Sequence, residues 1–214
     1  MCHRMSPLLF AELEEALREL RNTGKAHVPR RNADIFVPDV FPGADVPLFV
    51  PEADGSLAAT ELTWGVPGAG GGQSSGHSKL IFNTRIETAL SQARSGRGLW
   101  AQPILEGRCL VPVRGFYESW TQPDPDAPTP QKGRRPARRQ VRFNLTGYGI
   151  FLLACVRTED RFSVVTTVPN AEVGRVHNRM PLVLGPGESR IWLGPEFASL
   201  ADRSGIRLDA QVEA

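Results

Sequence analysis

The chain has 214 residues, 41% of them hydrophobic, and a formal net charge of only +2. That length can bury one substantial core, and so small a charge excludes a global polycation binding nucleic acid or membranes indiscriminately, so any DNA contact is local. The three cysteines, Cys2, Cys109 and Cys155, are far apart with no CxxC spacing, which argues against a zinc site or a disulfide framework and for a reduced, cytoplasmic protein.

No stretch approaches the roughly 18 apolar residues of a membrane span. The start lacks the basic-then-apolar run of a secretory signal, so residue 2 is expected close to the protein's true beginning. In chain order, Ser6 as cap, Pro7 at the first helical position and the apolar face Leu9, Leu13, Ala16, Leu17 and Leu20 predict a helix ending near Gly24. Short extended pieces follow, IFVPDV, PLFV and ELTWGV, and then a Gly/Ser-rich loop over 67–78.

KLIFN predicts a strand running into a helix, with Thr84 and Glu87 at capping-box spacing and with Asn83 and Arg85 at the corner. RCLVPV, GFYESW, QVRFNLTG, GIFLLACV and FSVVTTV are rich in β-branched and aromatic residues and predict further strands. Between GFYESW and QVRFNL lies a Pro/Arg-rich insertion, 121–139, whose composition is poor for packed structure. Asn170 caps a short predicted helix, and IWLGPEFASLADRSG predicts a closing helix or turn region. The count favours a sheet-rich α+β fold, one domain over 1–214.

Cys2 has a chemistry no internal cysteine shares. Once Met1 is removed, its α-amine and thiol sit on adjacent carbons, a 1,2-aminothiol that condenses with an aldehyde to a Schiff base and closes to a thiazolidine. An α-amine, with a pKa near ~7.7–8.0, keeps an appreciable neutral fraction at neutral pH. Glu118 sits amid Phe116, Tyr117 and Trp120, where apolar neighbours raise a carboxyl toward the general acid/base range, and strand alternation puts Phe116 and Glu118 on one face. His177 can move protons near neutrality, and Asn83 offers an amide to orient an amine or carbonyl. Arg4, Arg85 and Arg179 lie near these residues and suit phosphate oxygens; Trp64 and Trp120 are candidate base-stacking surfaces or core residues. His27 and His77 look incidental.

Five segments, MCHR at 1–4, TWG at 63–65, FNTRIETA at 82–89, RCLVPVRGFYESW at 108–120 and VHNRMPLVL at 176–184, together resemble the SRAP (SOS response-associated peptidase) family over almost the whole chain. The resemblance implies a barrel-like core of twisted antiparallel sheets with flanking helices. It also implies a monomeric sensor of abasic sites in single-stranded DNA, cytoplasmic and nucleoid-associated when bound, using neither metal nor organic cofactor.

By the same resemblance Cys2 forms a thiazolidine crosslink with the ring-opened sugar, Asn83 positions its amine, Glu118 assists proton transfers, and His177 opens the sugar or β-eliminates as a lyase. Arg4, Arg85 and Arg179 grip phosphates, and the peptidase activity is self-removal of Met1. This sequence departs from the family pattern at His3, at Ser119, which interrupts GFYEW, and in DIFVPDVFPG, where an N-I-A-P-T-Q segment is expected. The rival readings are a thiol hydrolase built on Cys2, His177 and Asn83 and a noncovalent single-strand binder.

Overall fold

A computed structural model describes residues 2–23, 38–68, 80–120 and 139–213. The expectations for the Gly/Ser loop beyond Gly68, for the insertion up to residue 138, and for His27 and His77 lie outside the described residues. The strands are β1 (Arg4–Pro7), β2 (Asp45–Pro51), β3 (Leu57–Trp64), β4 (Val66–Pro67), β5 (Leu80–Ile81), β6 (Asn83–Arg85), β7 (Arg108–Ser119), β8 (Gln140–Leu145), β9 (Phe151–Arg157), β10 (Arg161–Thr167), β11 (Met180–Pro181), β12 (Val183–Leu184) and β13 (Leu208–Val212). The helices are α1 (Phe10–Thr23), α2 (Ile86–Ser95), α3 (Pro103–Glu106), α4 (Ala171–Gly174) and α5 (Glu188–Leu193), followed by a 3-10 turn at Pro195–Ala201. None of these helices is long and apolar enough to cross a membrane.

The pairings β9–β10, β10–β3, β3–β2, β2–β7 and β7–β9 close a five-stranded barrel, flanked by β1, β6, β8, β11, β12 and β13. The sheet is mixed: β10 runs parallel to both β3 and β6. Along one edge of β10, Phe162 faces Trp64 and Val164 faces Asn83, so β6 continues the barrel wall where β3 stops. Period-two alternation sorts the strand side chains. Cys109, Val111, Cys155, Phe162 and Val164 point into an interior core, while Leu110, Ala154, Val156 and Val165 pack outward against Leu13, Ile86, Ile104 and Trp192.

RCLVPV and GFYESW form one strand rather than two. Its pairing with β1 slips between Ser6↔Gly115 and Pro7↔Val113, leaving Arg114 as the extra residue of a β-bulge. The bulge changes the phase of alternation. Cys109, Val111 and Val113 face the interior before it, Phe116 after it, and Glu118 keeps the phase of Phe116 and is fully buried. Arg142 Nη2, at 3.2 Å, and Asn144 Nδ2 donate to the Arg114 carbonyl that the bulge takes out of the ladder.

Helix α1 begins at Phe10, not at Pro7. Ser6 and Pro7 pair with β7 instead, the Ser6 hydroxyl donates to Asp39, and Glu12 reaches back to accept the Leu9 N–H at 2.8 Å. The capping box at Thr84 and Glu87 does not form: the Thr84 hydroxyl donates to Ser163 at 2.8 Å, and α2 has no side-chain cap. The strand-to-helix corner expected at Asn83 and Arg85 is present.

Asn170 caps α4 as expected. Its Oδ1 accepts the Val173 N–H at 2.9 Å, and its Nδ2 donates to the Ile206 carbonyl, also at 2.9 Å. Asn170→Ala removes both bonds next to the turn carrying His177, and a loss of about 1–2 kcal/mol in urea unfolding is expected. An unchanged midpoint would show that the cap contributes nothing.

Candidate active site

Cys2 is completely buried in the interior core, its thiol 3.7 Å from the Arg4 carbonyl. Asn83, placed by the pairing of β6 with β10, donates from Nδ2 to the Cys2 carbonyl at 2.7 Å. Its Oδ1 is buried and accepts no hydrogen bond among the described residues. A buried acceptor left open costs about 1–3 kcal/mol, so this amide oxygen is a standing site for an N–H donor.

Glu118, turned inward by the bulge, is fully buried, and burial raises its carboxyl from 4.5 to about 7, against a counter-pull from the positive charge of the chain's amino terminus. Burial also raises the Cys2 thiol far above its usual value, and the negative charge of Glu118 raises it further. The two groups are therefore electrostatically coupled, and the thiol is held in its neutral form.

His177 follows α4, with Nδ1 4.0 Å from Glu118 Oε2 and 3.0 Å from the Arg179 N–H. Nδ1 also lies 3.1 Å from the Arg179 carbonyl oxygen, and the tautomer with its proton on Nδ1 donates there and leaves the Nε2 lone pair to accept a proton. Burial, followed by the positive charges of the amino terminus and His3, holds His177 below its ordinary pKa. It is a neutral imidazole at physiological pH.

The arginines differ in availability. Arg4 donates to Asp39 at 2.8 Å, makes a two-point contact with Glu213 at 2.5 and 3.0 Å, and lies 4.0 Å above the Tyr117 ring. Arg179 makes a two-point contact with Glu87 at 2.8 and 2.9 Å and donates to the Thr166 carbonyl. That pairing lowers the Glu87 carboxyl. Arg85 is exposed beside Asn83. Trp64 is fully buried, stacked on Phe162 and donating from Nε1 to the Phe82 carbonyl at 2.8 Å, so of its two expected roles it fills the core and offers no face to a base. Trp120 is half-buried at the rim of the interior core, its N–H on the Arg139 carbonyl.

The structure thus brings Cys2, Asn83, Glu118 and His177 together from four separate segments. Among the described residues no group of three or more His, Cys, Asp or Glu is placed to hold a metal ion. Sequence reasoning missed the acidic partners Asp39, Glu87 and Glu213 and the aromatic platform Tyr117. Nothing local marks Glu213, whose partner is 209 positions away.

The family described as SOS response associated peptidase (SRAP) has a model that matches residues 1–210. This chain belongs to the SRAP family. Among curated relatives, the abasic site processing protein YoqW of Bacillus subtilis is 26% identical over 211 residues, covering 92% of this SRAP chain and 81% of the relative. The abasic site processing protein YobE of the same organism is 24% identical, covering 92% and 83%.

Two solved structures share the fold. A protein from Bacteroides thetaiotaomicron superposes with a TM-score of 0.65 at 20% identity, covering 99% of this chain and 91% of that one. A phage-related protein from Bordetella bronchiseptica gives 0.64 at 21%, covering 99% and 94%. The SRAP barrel therefore persists where four in five residues differ.

Proposed function

We propose that this SRAP protein captures abasic sites in single-stranded DNA covalently, through the α-amine and thiol of Cys2 after Met1 is removed, within the response to DNA damage. The observation that carries the reading is the convergence on Cys2 of an amide on its carbonyl, Asn83, and a buried carboxyl titrating near neutrality, Glu118. The names of the curated relatives, abasic site processing proteins, support the abasic site as the substrate.

In the first step the neutral His177 accepts the C1 hydroxyl proton of the closed sugar and returns it to the ring oxygen as the bond from that oxygen to C1 breaks, releasing the aldehyde. The Cys2 amine, with an N–H on the open Asn83 Oδ1, adds to the aldehyde carbon. Protonated Glu118 then donates to the carbinolamine oxygen, which leaves as water and yields the Schiff base. The thiol sulfur adds to the carbon of this protonated Schiff base, its proton returns to the Glu118 carboxylate, and the thiazolidine closes with net loss of one water. Strand cleavage by β-elimination competes at the Schiff-base stage, with His177 as base. Self-removal of Met1 uses the same carboxyl and imidazole. Arg85, with the Arg4 and Arg179 guanidiniums, holds flanking phosphates in a protein of the cytoplasm and nucleoid.

A thiol hydrolase needs a thiolate, and the burial and carboxylate charge around Cys2 oppose one. Reductive methylation of the Cys2 amine, with the thiol left free, separates the chemistries. Loss of at least about 10²-fold in adduct formation is expected, because ring closure needs both groups. Full activity after amine blocking would contradict the aminothiol route.

A further inference from the structure

We infer that Arg4 and Arg142 form a phosphodiester subsite on the outer face of the barrel, two residues from Cys2, and that Glu213 fills this subsite with its own carboxylate until DNA displaces it. The inference rests on the DNA reading above and deepens it. Arg4 pairs in register with Tyr117, Tyr117 with Arg142, and Arg142 with Gln211, so the four residues form one row across β1, β7, β8 and β13. The guanidiniums of Arg4 and Arg142 lie 4.0 and 6.0 Å from the centroid of the same Tyr117 ring.

Glu213 grips Arg4 with both carboxylate oxygens, and two oxygens of a phosphodiester satisfy a guanidinium fork in the same way. Its backbone is tied down, the N–H donating to the Gln140 carbonyl at 2.9 Å, but its side chain is 34% exposed and swings on its own bonds. Beside it opens a cleft of about 490 Å³ lined by Arg142, Gln211, Val212 and Glu213. Asp39 holds Arg4 from the other side and also accepts the Ser6 hydroxyl, so Arg4 keeps its orientation when Glu213 leaves.

Arg142 is prepared for the same role. Its Nε–H is buried with no acceptor among the described residues, and one Nη2 bond to the Arg114 carbonyl fixes its plane. Gly115 permits the crossing, since a Cβ there would come within 2.7 Å of Arg142 Nε. Arg4, Arg142, Asp39 and Glu213 sum to zero charge, and departure of the Glu213 carboxylate leaves the row with a positive charge facing the strand.

Fluorescence anisotropy with a lesion-free single-stranded oligonucleotide, read across a salt series, tests the subsite. Glu213→Gln is expected to bind about three- to tenfold more tightly at ~50 mM salt, with a slope of log affinity against log salt steeper by about 0.7, the value for one added phosphate contact on a single strand. The gain should vanish in an Arg4→Ala background and shrink in an Arg142→Gln background, which removes charge while keeping an N–H donor for the bulge carbonyl.

A Glu213→Gln protein indistinguishable from wild type overturns the inference, as does an equal gain from Glu61→Gln, an exposed acid on β3 outside the row. A gain that survives without Arg4 also overturns it. Binding here is noncovalent, so an absent crosslink with these slopes intact removes the aminothiol reading and leaves the subsite standing.

Discussion

Glu118→Gln is expected to slow crosslink formation by about 10²–10³-fold, the usual contribution of a positioned general acid, while making the folded protein more stable at alkaline pH. Both effects follow from one cause. The folded state keeps a proton on Glu118 up to about pH 7, whereas in the unfolded chain the carboxyl ionises near 4.5. Across that interval the folded state binds more protons than the unfolded one, so stability falls as pH rises.

The stabilisation is complete below about pH 4.5 and lost once pH passes about 7, a change on the order of 3 kcal/mol. Glutamine carries the same shape without the charge and escapes the loss. Thermal unfolding of both proteins at about pH 5 and about pH 8 reads the difference as a gap in Tm that widens with pH. A gap independent of pH would mean that Glu118 ionises normally and is not the acid of the site.

Arg108→Ala is expected to cost about 2–3 kcal/mol of stability, because it removes charge-assisted hydrogen bonds from backbone carbonyls at a half-buried site. Arg108 opens β7 and donates to five backbone carbonyls: Ile104 at 2.6 Å and Leu105 at 2.7 Å, at the end of α3, and Trp192 at 2.7 Å with Leu193 and Gly194 at 3.2 Å, at the end of α5. Its guanidinium also lies 4.2 Å over the Phe197 ring. Carbonyls at helix ends have no intrahelical donor, and one planar cation supplies both ends here. Lysine, with a compact ammonium, cannot span them, so Arg108→Lys should recover only part of the loss in urea unfolding. A midpoint shift below ~1 kcal/mol for Arg108→Ala would show that solvent replaces these bonds at little cost.

Much of the barrel was legible because its strands carry their own signal. QVRFNL, FLLACVR and RFSVVTT are β-branched and aromatic runs, and they form β8, β9 and β10. The site was legible through the aminothiol of Cys2 and the family segments around Asn83, Glu118 and His177. What local reading could not see was decided by distant partners. Ser6 and Pro7 satisfy the rules for a helix start, yet β7 takes them as a strand. Thr84 and Glu87 have capping-box spacing, yet Ser163 and Arg179 claim their side chains. The inward aim of Glu118 matches the alternation expected from sequence, but it depends on the Arg114 bulge, which only the pairing with β1 reveals. β13 lies beyond every element expected from the sequence, and it forms a strand because β8 offers an edge to Leu208–Val212.

The most direct measurement is the intact mass of the product formed when protein with a native N-terminus meets a single-stranded oligonucleotide carrying one abasic site, with Cys2→Ala alongside. The expected species is the protein lacking Met1 plus the oligonucleotide minus one water, surviving denaturation, and absent from the Cys2→Ala sample. A wild-type sample with no such species, or one in which Cys2→Ala forms the same adduct, would contradict the assignment of Cys2 as the group that captures the lesion.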